Sequence, residues 1–193
     1  HHDLKSRNVL LFHAAPASSA SAATADGAMP WTPFVAKIGD FGIATRFGME
    51  NTADVFALRV LLEGHGAYLC AKKASDEQIA VMEQTCEEME RQFSVKGADW
   101  IKKMDQGNRV IHEMLYEASG SPYLRLSGKH LLEVPQVIGG FFIYEDADVE
   151  ESLRQHREIV KAIKLHNGDW ARSAVACHLN AALERFRRRT SEE

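Results

Sequence analysis

The stretch NRVIHEML, residues 108–115, lies inside a long helical pattern and governs the interpretation of the whole chain. Apolar residues recur around it at the spacing of one buried helix face, namely Ile101, Met104, Ile111, Leu115 and Ala118. Asn108 fills the gap in that stripe, and His112 follows one turn later, so both polar side chains project inward. Burying them unpaired would cost about 1–3 kcal/mol each, which predicts partners for both, either hydrogen-bonding groups or a metal ion.

Helical patterns extend from residue 52 to about residue 190, and strand signals are absent there. We expect a first amphipathic helix over 53–73, whose apolar residues are Val55, Leu58, Leu61, Leu62, Tyr68 and Leu69. A second helix is opened by Ser75 and Gln78, which have the spacing of a capping box, and its inner side is expected to carry Ile79, Met82, Cys86, Met89 and Phe93. The helix that contains Asn108 should then run over 99–118. Because the connections between these long helices are short, the sequence predicts an all-α fold, an antiparallel bundle of about six helices.

The ends of the last three helices are predicted from proline, glycine and capping residues. The fourth helix should bend or break at Pro135 and end near Tyr144. Asp148 is expected to open the fifth helix, which the pair Asn167-Gly168 stops. Asp169 is then expected to cap the sixth helix.

Two more histidines occupy inward positions on the last two helices. The stripe of the fifth helix consists of Leu153, His156, Val160 and Ile163. That of the sixth consists of Trp170, Ala174, Cys177, His178 and Ala181. A single inward histidine is ordinarily a core residue that is bonded to a neighbour. For three histidines and an asparagine on three helices, a metal site is favoured as strongly as a set of hydrogen-bonded core residues. The residue pattern leaves both interpretations open.

From about residue 54 to residue 187 the chain resembles the FadR C-terminal ligand-binding domain (FCD) of GntR-family bacterial transcription regulators. The motifs that carry this resemblance occur in order: RVLLE at 59–63, NxxIHxxL at 108–115, ASGSPYL at 118–124, HRxIxxAIxxxxGD at 156–169 and HL at 178–179. They cover most of the chain. The resemblance implies a ligand-binding helical domain over 52–190, in a protein that senses an effector and is not an enzyme.

The resemblance also implies a set of metal ligands. In metal-binding members an Asp or Asn, four residues before a His, joins two later histidines around a divalent ion, usually zinc or nickel. Carried across, the ligands are Asn108, His112, His156 and His178. Since an asparagine supplies a neutral carbonyl oxygen, we expect a more cationic site that binds zinc more weakly than one with aspartate.

An ion held in this way would keep open positions for a small carboxylate effector, an organic or sugar acid. Arg59 is expected to be a second anchor for the carboxylate. The alternative is that Arg59 forms a structural salt bridge with Glu63, one turn away. Metal-dependent hydrolysis would need a general base near the ion, and no dedicated carboxylate stands beside these ligands in the sequence. Sensing is therefore favoured over catalysis.

The first fifty residues are a different kind of sequence. HHDLKSRN at 1–8 resembles the catalytic loop of a protein kinase, and GDFG at 39–42 resembles the Asp-Phe-Gly motif that follows it. By that resemblance Asp3 would orient the substrate hydroxyl, while Asn8 and Asp40 would hold magnesium. Lys5 belongs to the same catalytic-loop motif.

The kinase-like segment is incomplete. It lacks a glycine-rich phosphate loop, the strand lysine with its glutamate partner, and an Ala-Pro-Glu motif. An Ala/Ser-rich low-complexity tract at 14–30 separates its two motifs. We therefore expect 1–50 to be a poorly structured or hairpin-like segment without kinase activity rather than an independent domain.

Composition supports a soluble, cytoplasmic protein. With 45% hydrophobic and 26% charged residues the chain is ordinary for a globular protein, and its net charge of −4 gives no overall case for binding nucleic acid. No apolar run is long enough to span a membrane, and there is no signal peptide. The cysteines (Cys70, Cys86, Cys177) are interpreted as reduced core thiols, and the terminal arginines (Arg185, Arg187, Arg188, Arg189) as a solvated helix end.

Three functional hypotheses follow. The first is a metal-binding effector domain that acts as a homodimer; the chain begins without Met, and we expect a fragment that lacks the winged helix-turn-helix and does not bind DNA by itself. The second is a fragment or chimera of a protein kinase without activity. The third is a metal-free bundle that serves only for dimerisation.

Overall fold

A computed structural model describes residues 9–11, 36–38, 41–137, 141 and 144–191, with side-chain burial described from Thr52 onward. Strands β1 (Val9–Leu11) and β2 (Ala36–Ile38) pair in antiparallel register, with Val9 opposite Ile38. The helices are α1 (Phe41–Lys73), α2 (Asp76–Val95), α3 (Trp100–Glu117), α4 (Pro122–Val137), α5 (Asp146–Lys164) and α6 (Gly168–Ser191). The predicted all-α class with six helices is confirmed, and a short strand pair forms the hairpin-like element.

The chain divides into two compact units, residues 1–47 and 48–193. The kinase-like residues Asp3, Lys5, Asn8 and Asp40 lie outside the described part of the chain. Within that part, no helix combines the length and apolar character needed to cross a membrane.

The capping box predicted at the start of α2 is confirmed. The Ser75 hydroxyl accepts a hydrogen bond from the Gln78 backbone N–H at 3.2 Å, and the Gln78 side-chain oxygen accepts one from the Ser75 N–H at 3.0 Å. These two bonds satisfy donors that the first turn of a helix otherwise leaves unpaired. The inner face of α2 then buries Ile79, Met82, Cys86 and Met89 as expected, while Phe93 packs against the same core but is only partly buried.

The predicted ends of the later helices need correction. Helix α4 is described over Pro122–Val137 and continues through Pro135, where a break was expected; its predicted end near Tyr144 falls beside residues 138–140 and 142–143, which lie outside the described part of the chain. Helix α5 begins at Asp146, so Asp148 is not its cap; Asp148 lies one turn inside and accepts a bond from the Glu145 N–H at 3.3 Å. A carboxylate can accept a backbone hydrogen bond both at the N-cap and in the first turn of a helix, so the sequence alone did not show which acidic residue precedes α5.

Helix α6 begins two residues earlier than predicted. Its cap is Asn167, whose side-chain oxygen accepts a hydrogen bond from the Trp170 N–H at 3.0 Å, and Asp169 already lies in the first turn. Asn167 and Asp169 can both accept such a bond, and the backbone bond from the Ala171 N–H to the Asn167 carbonyl shows which of them precedes the helix.

The core fills the space between packed helix pairs, α5 with α6, α2 with α3, α2 with α5, and α3 with α4. Two expectations about burial were wrong. Leu58 and Leu61 of α1 are 49% and 68% exposed, while Arg59 and Glu63 are buried on its inner face. Cys177 is exposed, whereas burial raises the pKa of both Cys70 and Cys86 to about 12.

Candidate metal centre

Three histidines from three helices meet inside the bundle. His112 of α3, His156 of α5 and His178 of α6 are 1%, 0% and 3% exposed, and each offers a ring nitrogen within 4.8 Å of the other two. The ring centroids lie 4.4 to 5.6 Å apart. The structure therefore brings together the three histidines that the apolar stripes singled out; their role as metal ligands stays a prediction.

Two of these imidazoles have their Nδ1 atoms engaged by acceptors. Nδ1 of His112 bonds to the Glu63 carboxylate, and Nδ1 of His178 bonds to the Gln155 side-chain oxygen at 3.1 Å. Because a carboxylate and an amide oxygen only accept, each Nδ1 carries the proton. A neutral ring protonated at Nδ1 has its lone pair on Nε2, which is then available as a donor to an ion.

His156 differs from the other two histidines. It is fully buried, and no described side chain pairs with either of its ring nitrogens; the one hydrogen-bonding influence on the ring is the Ser152 backbone, one turn earlier. Burial, followed by the nearby His112 and Arg185, lowers the pKa of His156 to about 3. Burial and the neighbouring histidines likewise hold the pKa of His178 well below its ordinary value. Both rings are therefore neutral near pH 7, the state in which imidazole binds metals.

Glu63 links α1 to the histidine cluster. Its two carboxylate oxygens are shared between His112 Nδ1 and the Arg59 Nε–H, which donates at 2.5 Å. Burial alone would raise the pKa of Glu63, but Arg59 and His112 outweigh it and bring the pKa down to about 2. Arg59 Nη2 lies 3.5 Å from His112 Nδ1, yet both atoms carry protons, so this approach is not a hydrogen bond.

Asn108 lies on α3, one turn before His112, and its side chain is half-buried. Residues four apart on a helix have neighbouring side chains, so this position is compatible with the predicted fourth ligand. Its place in the ligand set stays a prediction. Arg59, the predicted carboxylate anchor, is 4% exposed and bonded to Glu63, which is the pairing that the alternative interpretation expected.

Two residues beside the cluster were missed by the sequence. Arg185 was interpreted as part of a solvated helix end, but it is 1% exposed and extends from α6 toward α5. Gln155 accepts from both His178 and Arg185. Arg185 follows His178 by seven residues and therefore continues the inward stripe of α6, a signal that its run of arginine neighbours obscured.

The donor set suits a divalent transition metal. Three buried imidazoles inside a bundle form a recognised zinc environment when a fourth position is left for another ligand. His156 supports this fit, because at least one of its buried ring nitrogens has no partner among the described residues, which is costly unless something binds it.

The FCD domain model matches residues 54–181 of the chain. An uncharacterized HTH-type transcriptional regulator, YdhC of Bacillus subtilis (strain 168), is 23% identical over 143 residues, which cover 74% of this chain and 63% of that protein. The solved structure of Streptococcus agalactiae GntR is 25% identical in sequence and superimposes with a TM-score of 0.56. The matched region covers 75% of this chain and 60% of that protein. The chain thus spans less than two thirds of the length of either relative.

Proposed function

Because this chain belongs to the family of FCD domains found in GntR-type transcription regulators, which are regulatory and not enzymatic, we propose that it senses a small carboxylate effector through a bound divalent metal. The single observation that supports the metal is His156, a buried imidazole beside two histidines whose Nδ1 atoms already have acceptors. The Ser152 backbone can pair with only one of its two nitrogens, so at least one nitrogen has no partner among the described residues. A purely structural core histidine would have partners for both nitrogens.

We assign the ligand set to His112, His156, His178 and Asn108, and the ion to zinc or nickel. Imidazole nitrogens suit both metals, and the amide oxygen of Asn108 adds no negative charge. When bound, the ion would supply open coordination positions that accept a carboxylate oxygen. Glu63 and Gln155 contribute by fixing the orientation of two of the rings, and such partners commonly change metal affinity 10–100-fold when removed.

The effector is an organic or sugar acid in this proposal. Arg59 is its proposed second contact, since the guanidinium is buried beside His112 and Glu63 holds it in place. A guanidinium held by a carboxylate on one edge keeps other N–H groups that are able to donate to a ligand.

The regulator would act in the cytoplasm as a homodimer, with effector binding in this domain altering how a winged helix-turn-helix holds DNA. We do not expect the 193-residue chain to bind an operator by itself, because its net charge of −4 provides no basic surface overall.

The test is a metal analysis of the purified chain by plasma mass spectrometry, followed by thermal shift against a panel of organic acids. We expect about one zinc or nickel ion per chain, lost in His112→Ala, His156→Ala and His178→Ala and retained in His65→Ala, a matched control at an exposed histidine. Far-UV circular dichroism checks that each variant is folded. Asn108→Asp should raise zinc affinity, because it replaces a neutral ligand with a charged one.

The opposite result would point to another function. A folded chain with no metal and no response to any acid would leave the metal-free dimerisation bundle, and His112→Ala or His178→Ala would then alter only stability. The kinase-like segment is tested separately by nucleotide binding with magnesium, which we expect to be undetectable, since the sequence lacks most of the phosphate-binding apparatus.

A further inference from the structure

The outer face of α1 carries apolar side chains that the bundle leaves uncovered. Leu58 and Leu61 are 49% and 68% exposed, on the face opposite the buried Arg59–Glu63 pair. The exposed or half-buried residues of this face recur at steps of four and three, and we call them the α1 seam: Asp54, Leu58, Leu61, His65, Tyr68 and Lys72. At the helical rotation per residue they fall within an arc of about 80°, and their spacing is that of the contact stripe of a coiled coil.

The two flanks of α1 are already in contact with the bundle. On one flank, Leu62 and Leu69 pack against a cluster that includes Leu124 of α4. On the other flank, Gly64 lies against α6, where an added Cβ would be 3.4 Å from the Arg172 side chain. The seam lies between these two sets of contacts, so the described helices hold α1 in place without covering it.

The two ends of the seam carry opposite charges. Asp54 and Lys72 are exposed, and neither forms an ion pair with another described residue. Lys72 Nζ lies 5.0 Å from the centre of the Tyr68 ring, and the His65 ring is within 9° of parallel to that of Tyr68. The seam is therefore acidic at its first end, aliphatic in its first half, and aromatic with a cation in its second half.

This order of residues is self-complementary. The steps along the seam are four, three, four, three and four, which are the same in both directions about position 63. In an antiparallel pair with a two-fold axis at that level, the facing residues are Asp54 with Lys72, Leu58 with Tyr68, and Leu61 with His65. Every contact then occurs twice, and opposite charges meet at both ends. A parallel pair would instead place like charges together at each end.

We propose that the α1 seam is the contact surface of the homodimer, formed by antiparallel packing of α1 against α1 of a second copy. This inference rests on the proposed function for the dimeric state, adds the surface that forms it, and does not involve the metal. The association removes Leu58 and Leu61 from water, and the ion pairs at the two ends select the antiparallel direction.

Sedimentation equilibrium of the chain over a range of concentrations, with a chelator present, measures the Kd of the dimer. Leu61→Glu should raise this Kd at least tenfold, because a two-fold interface contains the substitution twice and a carboxylate replaces a buried apolar group. Val95→Glu, at the end of α2, is the matched control, since Val95 is 65% exposed and lies outside the seam. It should leave the Kd unchanged. Far-UV circular dichroism checks that both variants are folded.

Exchanging the charges tests the direction of packing. Asp54→Lys and Lys72→Asp should each raise the Kd about fivefold, because like charges then face each other at both ends. The chain that carries both substitutions should regain the original Kd, since the pairs are restored with their signs reversed. An unchanged Kd in both single variants would refute the antiparallel arrangement.

The outcomes separate this inference from the metal proposal. A chain that stays monomeric at every concentration, or equal Kd values for Leu61→Glu and Val95→Glu, would overturn the seam. The seam lies on the face of α1 opposite Glu63, so its variants are expected to keep the zinc content of the unaltered chain. Absence of zinc from a chain that dimerises through the seam would overturn the metal proposal alone.

Discussion

The two sides of the histidine cluster differ in how completely their polar groups are paired. On the side of α1 and α3, both oxygens of Glu63 are occupied, one by Arg59 and the other by His112. On the side of α5 and α6, at least one nitrogen of His156 and the Nε of Arg185 have no partner among the described residues, whereas on α3 the Tyr116 hydroxyl is the one such group. On the first side, the Arg59–Glu63 pair holds the His112 ring in a fixed orientation. On the second side, we expect a ligand to supply the partners that the polar groups lack.

The largest effect should come from removing the Glu63 carboxylate on the side of α1 and α3. Glu63→Gln removes the only charge that balances the buried guanidinium of Arg59 within their pair, and this should lower the free energy of unfolding by about 3–5 kcal/mol. Urea unfolding of the chelator-treated chain at pH 7 measures it. Glu113→Gln, in the partly exposed pair with Arg109, is the matched control and should cost about 1 kcal/mol or less. Equal losses in the two variants would contradict the contrast between the two sides.

A somewhat smaller effect should come from zinc binding at the histidine cluster on the side of α5 and α6. Zinc at a free concentration a hundredfold above its Kd should stabilise the metal-free chain by about 3 kcal/mol, because it binds only the folded state. His156→Ala should abolish this gain, whereas Glu63→Gln should keep it at a Kd that is raised about 10–100-fold. Differential scanning fluorimetry with and without a chelator provides the measurement. An undiminished zinc response in His156→Ala would show that the ion binds elsewhere.

The smallest effect should be a pH dependence of the metal-free chain. The unfolded chain protonates His156 near its ordinary pKa of 6.5, whereas the folded chain does so only near pH 3. Between these values the unfolded state holds more protons, so stability falls as the pH falls. For His156 this amounts to about 2 kcal/mol between pH 6.5 and 4.5, a window above that in which Glu63 with its pKa of about 2 contributes.

The pH prediction is tested with His156→Gln, which should reduce the slope of the unfolding free energy against pH while the contribution of His178 remains, and with His65→Gln as the exposed control. Unfolding is followed in urea with a chelator present throughout. Parallel curves for the unaltered chain and for His156→Gln would mean that the buried imidazole does not titrate as its surroundings imply.

The helix pattern predicted the fold and the meeting of the histidines because both depend on local periodicity. His112, His156 and His178 each replace an apolar residue in an inward stripe, and inward stripes of a bundle face a common interior. The Ser75 capping box was predicted for the same reason, since both partners lie within one turn.

What the sequence did not reveal depends on contacts between distant segments. Glu63 was expected to pair with Arg59 one turn away, but its bond to His112 joins residues 49 positions apart. Arg185 looked solvated because arginines are seldom fully buried, and only the packing of α6 against α5 shows that it is. Leu58 and Leu61 face outward for the complementary reason that the inner face of α1 is taken by the Arg59–Glu63 pair.

The amide of Gln155 has a consequence for the speed of binding. Its oxygen accepts from His178 and Arg185, and its nitrogen donates to Glu151 at 3.3 Å. Turning the amide over would place a donor against two donors and an acceptor against a carboxylate, so the amide has one orientation. The His178 ring therefore keeps its proton on the same nitrogen before and after any ion arrives, and uptake at that ring requires no tautomer exchange.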